Sequence, residues 1–280
     1  MEHLLAAWPK IVDIIQEAHH VLFLSDFDGT LAPIVERPEQ ALLAEPTREM
    51  LRTLNCQKHF TVGIVSGRAL TDLKAKVNLE GIIYAGNHGF EIEGPELSFI
   101  NPIVNEIKPF FRILRQILVL TLSTIKGVLV EDKGMTLSVH YRQVEEIKVK
   151  DVEALVTRAV NGPASHGLFK VTEGKKVYEV RPAVNWDKGK AIQLLMKKYG
   201  KGGRNSRLLP IYIGDDLTDE DAFRVIEKYG YGLSVRIGTP SLTSAARYFL
   251  NSPDEVNGFL RQLVDNSVRG RLCEQHSTTS

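Results

Sequence analysis

Two aspartates stand one residue apart in the stretch FLSDFDGTLAP, residues 23–33. Asp26 and Asp28 close an apolar run, and Gly29 and Thr30 follow. Like charges at the mouth of a buried strand repel each other and lose hydration, so either a cation offsets them or they perform chemistry. Other residues of matching character recur downstream. Ser66, Gly67 and Arg68 follow the apolar run FTVGIV, and Asp215, Asp216 and Asp219 follow LLPIYIG. Lys188 opens a helical segment ahead of that last run.

Such a set describes a phosphoryl site. Carboxylates that share a crevice need a cation, and hard oxygen ligands select Mg²⁺, which takes few carboxylates and keeps waters and a substrate phosphate. No Cys or His accompanies them, which disfavours zinc. No GxxxxGK[ST] loop is present, so hydrolysis of a small phosphate ester, or transfer from one, is the expected reaction. By position, Asp26 is expected to attack phosphorus. Asp28 is expected to protonate the leaving alcohol and then to activate water. Asp26 and Asp215 are expected to hold the metal, with Asp216 either beside them on the ion or orienting its ligands. Ser66 and Lys188 are expected to neutralise phosphate oxygens as charge develops. Each residue alone has an ordinary alternative. Ser66 could bond its own turn, and Asp219 and Glu220 suit a helix N-terminus.

These groups need a scaffold that gathers them. Residues 4–18 have amphipathic helical spacing, and a core strand is expected at Val21–Ser25. A helix at Pro46–Asn55 precedes a second strand at 60–68, and a helix from Thr71 precedes a third at 81–89. Later, helix 188–199 precedes a strand at 208–216, helix 219–228, and a strand at 232–238. Nearly continuous apolar strands alternating with helices predict a parallel sheet covered on both faces. Ligands of such sheets bind beyond the carboxyl ends of the strands, where every group above falls.

The middle of the chain reads differently. From Pro102 to Pro182 the order is helix, hairpin, helix, hairpin, with tips at DKG and EGKK. The fold class is therefore α/β: a Rossmann-like parallel-sheet core with an inserted α+β cap domain carrying a four-stranded antiparallel sheet. The expected boundaries are 1–101 with 183–265 for the core, 102–182 for the insert, and 266–280 for a polar, aperiodic, disordered tail. In the insert, Ser138, His140 and Arg142 share one strand face, as do Glu179 and Arg181, and Glu131 and Lys133. Such a polar face suits a hydroxyl-rich, weakly charged ligand.

The motifs resemble those of haloacid dehalogenase-like phosphatases. DFDGTL matches the first motif, SGR the second, DKGKA the third and GDDLTDED the fourth. The insert between the second and third resembles the C2B cap subclass. GNHG, EDKG, HYR and YEVRP resemble trehalose-6-phosphate phosphatases. The resemblance implies Asp26 as nucleophile, Asp28 as general acid/base, Asp215 as magnesium ligand, and Ser66 with Lys188 as phosphate ligands. Gly67 joins that phosphate loop. It also implies that the backbone carbonyl of Asp28 binds the metal, that the cap closes over a sugar phosphate, and that Glu131, Lys133 and Glu179 contact the glucose away from phosphate. Arg68, Asn87, His88 and Arg142 are expected near the sugar or at the closing interface. Trehalose biosynthesis is the implied role. Alternatives are a sucrose-6-phosphate or mannosyl-3-phosphoglycerate phosphatase, a phosphomutase of the same fold, or a non-catalytic sugar-phosphate sensor.

Composition excludes other classes. Hydrophobic residues make up 43% and charged residues 25%, with net charge +1. That balance gives no basic footprint for nucleic acid or an anionic membrane. Two distant cysteines, Cys56 and Cys273, make no disulfide framework. The N-terminal segment lacks the pattern of a signal peptide, and no apolar run reaches membrane-spanning length. The expectation is a monomeric cytoplasmic protein whose partner is a small-molecule sugar phosphate.

Overall fold

The computed structural model describes residues 1–35, 38–162, 165, 167–174, 176–200 and 207–277, without the side chains of 38 and 267–277. Two units emerge. Unit 1 comprises Met1–Ser98 and Asp187–Ser280, and unit 2 is Phe99–Trp186.

Unit 1 is built on a nine-stranded sheet. Its strands are β1 (Glu2–His3), β2 (His20–Ser25), β3 (Phe60–Val65), β4 (Ile83–Gly86), β5 (Glu91–Gly94), β6 (Leu97–Ile100), β11 (Leu208–Gly214), β12 (Leu233–Ile237) and β13 (Tyr248–Leu250). The spatial order is β1-β13-β12-β11-β2-β3-β4-β5-β6. From β1 to β4 all neighbours run parallel; β5 turns antiparallel to β4. Strands β2 and β11 are buried along almost their whole length, so both faces must be covered. The covering helices are α1 (Trp8–Glu17), α2 (Glu45–Asn55), α3 (Leu70–Val77), α6 (Lys188–Tyr199), α7 (Asp219–Tyr229) and α8 (Pro253–Ser277). The chain order leaves β2 toward β3 and β4 on one side, and returns to β11, β12 and β13 on the other. The reversal at the β2/β11 boundary is a topological switch point, where a crevice opens beyond the strand ends.

Unit 2 carries helices α4 (Ile103–Leu122) and α5 (Val149–Val160), each followed by a hairpin: β7 (Leu129–Asp132) with β8 (Leu137–His140), and β9 (Phe169–Gly174) with β10 (Val177–Pro182). The four strands form one antiparallel sheet in the order β7-β8-β10-β9, joined through β8 and β10. Leu137, Val139, Tyr178 and Val180 face Phe111, Leu114, Leu118, Val152 and Val156 of the helices in a separate core. The opposite face is polar.

One helix holds an internal proline, and two local readings changed. Helix α4 starts at Ile103 and carries Pro109 inside it, because the buried stripe Val104, Ile107, Phe111 runs through that residue and outweighs its missing donor. The third core strand stops at Gly86, where a turn with positive φ at Asn87, His88 and Gly89 takes over. Helix α8 continues through 266–277, where an irregular tail was expected. Good helix formers such as Arg271, Leu272, Glu274 and Gln275 sustain a helix without apolar periodicity. The side chain of Cys273 and residues 278–280 lie outside the described residues.

Candidate active site

Adjacent parallel strands β11, β2, β3 and β4 deliver their C-terminal residues to one edge. Asp26 leaves β2 and extends its pairing, its amide donating to the Ile213 carbonyl at 2.8 Å. The turn that follows folds tightly, with Leu31 and Ala32 amides both bonded to the Phe27 carbonyl. Gly29 is the residue this turn requires. Its φ is +82°, and a Cβ there would lie 2.3 Å from Asp215 Oδ2. The first and fourth motifs therefore touch through a missing side chain.

A buried charge cluster sits at this point. Lys188 Nζ donates to Asp26 Oδ1 at 2.6 Å and to Asp219 Oδ1 at 2.7 Å, and all three residues are almost fully buried. Asp219 is a hub. Tyr212 donates its hydroxyl to Oδ1 at 2.7 Å, while the amides of Asp215 and Asp216 each donate to Oδ2 at 2.9 Å. Asp216 spends Oδ1 on the amide and hydroxyl of Thr218 at 2.8 and 2.7 Å. Ligand oxygens of Asp26, Asp215 and Asp219 lie within 4.8 Å of one another.

The electrostatics follow from burial. Desolvation lifts Asp26 well above the usual carboxylate range; Lys188 opposes the rise, and Asp219 and Asp215 add to it. Desolvation likewise lifts Asp219 to about 6 against the pull of Lys188. For Lys188, burial opposes the charge, but Asp219 and Asp26 overcome it and hold the ammonium. Burial also disfavours an ionised Asp216, yet Lys188 and the Thr218 hydrogen bonds bring it down to about 2. One lysine thus faces more carboxylate charge than it can neutralise. Such an all-oxygen, negatively charged donor set fits a hard divalent cation.

The second motif is locked to the GNHG turn. Ser66, itself buried, donates its amide to Ala85, and its carbonyl accepts from His88 at 2.8 Å. The Asn87 amide donates to the Arg68 carbonyl at 2.7 Å. Gly67 lies against His88, where a Cβ would meet the imidazole at 2.7 Å. Arg68 turns to Asp28. Its Nε and Nη2 donate to the two Asp28 oxygens at 2.7 and 2.6 Å, Nη1 donates to Asp72 at 2.8 Å, and the guanidinium lies 5.4 Å from the Phe27 ring centroid.

The remaining expected residues belong to unit 2. Glu131 bonds His140 Nε2 at 2.8 Å, Lys133 lies 3.5 Å from Glu179, and Arg181 Nε donates to Glu179 at 2.9 Å. Arg142 follows β8 and is exposed.

Comparison with known proteins bears on this arrangement. A family model described as Trehalose-phosphatase matches residues 24–254. The chain belongs to the trehalose-phosphatase family. Trehalose 6-phosphate phosphatase RA3 of Zea mays is similar to it, 38% identical over 258 residues, covering 88% of this chain and 70% of that protein. Trehalose-phosphate phosphatase B of Arabidopsis thaliana is 35% identical over 265 residues, covering 91% and 69%. The solved C-terminal domain of C. albicans trehalose-6-phosphate phosphatase has a TM-score of 0.79 at 24% identity, covering 92% of this chain and 96% of that one. That likeness establishes the fold expected from the motifs.

Within this trehalose-phosphatase chain, Asp26, Ser66, Gly67, Arg68, Asn87, His88, Lys188, Asp215 and Asp216 all belong to loops or helix starts at the strand ends of unit 1. Two residues were not anticipated in their observed roles. Tyr212 is an apolar-strand residue whose hydroxyl reaches the charge cluster, and its signal was a lone phenol beside GDD. Asp72 braces Arg68 from one helical turn away, and nothing in its local sequence marks it. Among the described residues, no helix is long and apolar enough to cross a membrane.

Proposed function

We propose that this chain hydrolyses trehalose 6-phosphate to trehalose and phosphate. The observation that carries the reading is the buried Lys188 bridge between Asp26 and Asp219, set beside Asp215 at a switch point of the sheet, in a chain matched by the trehalose-phosphatase model.

In this reading Asp26 attacks phosphorus while the bond from phosphorus to the sugar oxygen breaks, and Asp28 delivers its proton to that oxygen. The sugar leaves and an aspartyl-phosphate remains. Asp28 then takes a proton from water, whose oxygen attacks phosphorus and releases Asp26 with free phosphate. Lys188 and Ser66, with the Gly67 backbone, bind the phosphate oxygens. Mg²⁺ suits the oxygen donors, with Asp26, Asp215 and the Asp28 carbonyl as the groups to hold it. When bound it would supply positive charge to the phosphoryl group. Asp219 and Asp216, their oxygens engaged by amides, Lys188, Tyr212 and Thr218, orient that loop. The polar face of unit 2, with Glu131, Lys133 and Glu179, reads the sugar.

The test is phosphate release from a panel of sugar phosphates with and without Mg²⁺, with Asp26→Asn beside the parent chain. Trehalose 6-phosphate should be the fastest ester, Mg²⁺ should be required, and Asp26→Asn should lose at least about a thousandfold, some 4 kcal/mol of barrier. Faster turnover of sucrose 6-phosphate or mannosyl-3-phosphoglycerate would overturn the substrate, and normal turnover by Asp26→Asn the mechanism.

A further inference from the structure

The polar face of the unit 2 sheet contains hydroxyls with no hydrogen-bond partner among the described residues. Register places Glu131 of β7 opposite Ser138 of β8, Ser138 opposite Glu179 of β10, and Glu179 opposite Thr172 of β9. The four side chains form one straight row across the sheet, all on the side away from the helices. Carboxylate and hydroxyl alternate along it. Ser138 is fully buried, and its Oγ has no hydrogen-bond partner among the described residues; the buried Oγ1 of Thr172 has none either. The carboxylates beside them are held in place, Glu131 by His140 and Glu179 by Arg181 and Lys133.

An unpaired buried hydroxyl destabilises a fold, and a methyl group of similar size would not. Alanine and valine would fit the sheet at these positions, and valine would also suit the β-strand of Thr172. The row is therefore organised for something other than the stability of unit 2. Its chemistry is that of a polyol site. Carboxylates accept hydrogen bonds from sugar hydroxyls, and serine or threonine hydroxyls donate to the sugar oxygens or accept from them. A site of this kind also rejects ligands that lack the hydroxyls, because its own groups then stay unpaired.

We propose that Ser138, together with Thr172, is a specificity-determining residue that hydrogen-bonds the hydroxyls of the sugar between Glu131 and Glu179. This rests on the reading of the chain as a trehalose 6-phosphate hydrolase and extends its sugar site to two residues beyond the charged ones. The two hydroxyls carry no charge and complete the row that the carboxylates begin.

The experiment compares Ser138→Ala, Thr172→Val and Thr172→Ser with the parent chain. KM and kcat are measured for trehalose 6-phosphate and for p-nitrophenyl phosphate, whose leaving group has no sugar hydroxyls. Thermal midpoints and calorimetric binding of trehalose are measured alongside. Ser138→Ala and Thr172→Val should each raise KM for trehalose 6-phosphate roughly three- to tenfold, the range of one net hydrogen bond. Both should lose much less on the aryl ester, weaken trehalose binding by a similar factor, and keep or raise the midpoint. Thr172→Ser, which keeps the hydroxyl, should retain the parent KM. Unchanged KM and trehalose binding in both truncations would overturn the proposal, as would equal losses on the two esters. If the parent chain binds trehalose but releases no phosphate from its 6-phosphate, the functional reading fails while the hydroxyl row is still judged by the binding data.

Discussion

Arg68 grips Asp28 at two points. Nε and Nη2 reach the two carboxylate oxygens at 2.7 and 2.6 Å, and Asp72 fixes the third nitrogen at 2.8 Å. Burial opposes a charged Arg68, but the hydrogen bonds and charge of Asp28 more than restore it. The planar fork matches a carboxylate in a way that a lysine ammonium cannot. Arg68, expected near the sugar or at the closing interface, holds the carboxylate proposed for proton transfer.

Removing that grip should matter most where a proton must reach a poor leaving group. Arg68→Ala is expected to lower kcat for trehalose 6-phosphate about a hundredfold, within the range of general-acid catalysis. The initial burst of nitrophenol from p-nitrophenyl phosphate should fall far less. Added guanidinium should recover part of the sugar-ester rate. A rise in KM alone, with kcat unchanged, would return Arg68 to a sugar-binding role.

Glu131→Ala should act through recognition of the sugar rather than through proton transfer. Its carboxylate lies on the unit 2 sheet, held by His140. Trehalose 6-phosphate should lose roughly 10- to 100-fold in kcat/KM, about 1.4–3 kcal/mol, while a small aryl phosphate loses little. Steady-state kinetics on both esters decides it.

The charge cluster predicts an opposed pH response. Asp219 titrates at about 6, above its unfolded value, so its contribution favours folding at low pH and is lost as pH rises through 6. Asp216, lowered to about 2, contributes stability above the unfolded value near 3.8 that is lost only as pH falls toward 2. Added Mg²⁺ should therefore raise the thermal midpoint more at pH 7 than at pH 5, because Asp219 is mostly protonated at the lower pH. Asp219→Asn should flatten that difference. Equal midpoint shifts at both pH values would contradict it.

Gly67 and His88 should couple. A Cβ at 67 would sit 2.7 Å from the imidazole, closer than packed atoms allow. Gly67→Ala is expected to cost about 1–3 kcal/mol of stability, the usual range for overpacking. His88→Ala in the same chain should recover much of it, giving a non-additive cycle of at least about 0.5 kcal/mol. Denaturant titrations of the four chains measure this.

The sequence made three of the four motifs legible because each follows an apolar run, and a parallel sheet must bring such ends together; the third opens helix α6. The insert was legible for the same reason, from alternation on its hairpins. What it could not show were the pairings made across the fold. The Asp219 carboxylate has an ordinary reading at a helix start, and only the structure reveals that Lys188, Tyr212 and two amides converge on it. Arg68 and Asp28 are separated by dozens of residues, and no local pattern records their contact. Strand β13 is three residues long, below the length at which alternation is visible. The left-handed turn at Asn87 and His88 falls on residue types that tolerate positive φ better than most, yet nothing local requires it there, and both are buried in it.

Chain order has a consequence for how the protein is made. Unit 2 is one uninterrupted segment whose strands pair with near neighbours, so it can complete its contacts as soon as it has emerged during synthesis. Unit 1 cannot. Strand β2 waits for β11, and the short β1 waits for β13, near the far end of the chain. Asp26 consequently waits for Lys188, 162 residues further along the chain. Asp26, the proposed nucleophile, is synthesised well before the lysine that completes its charge cluster.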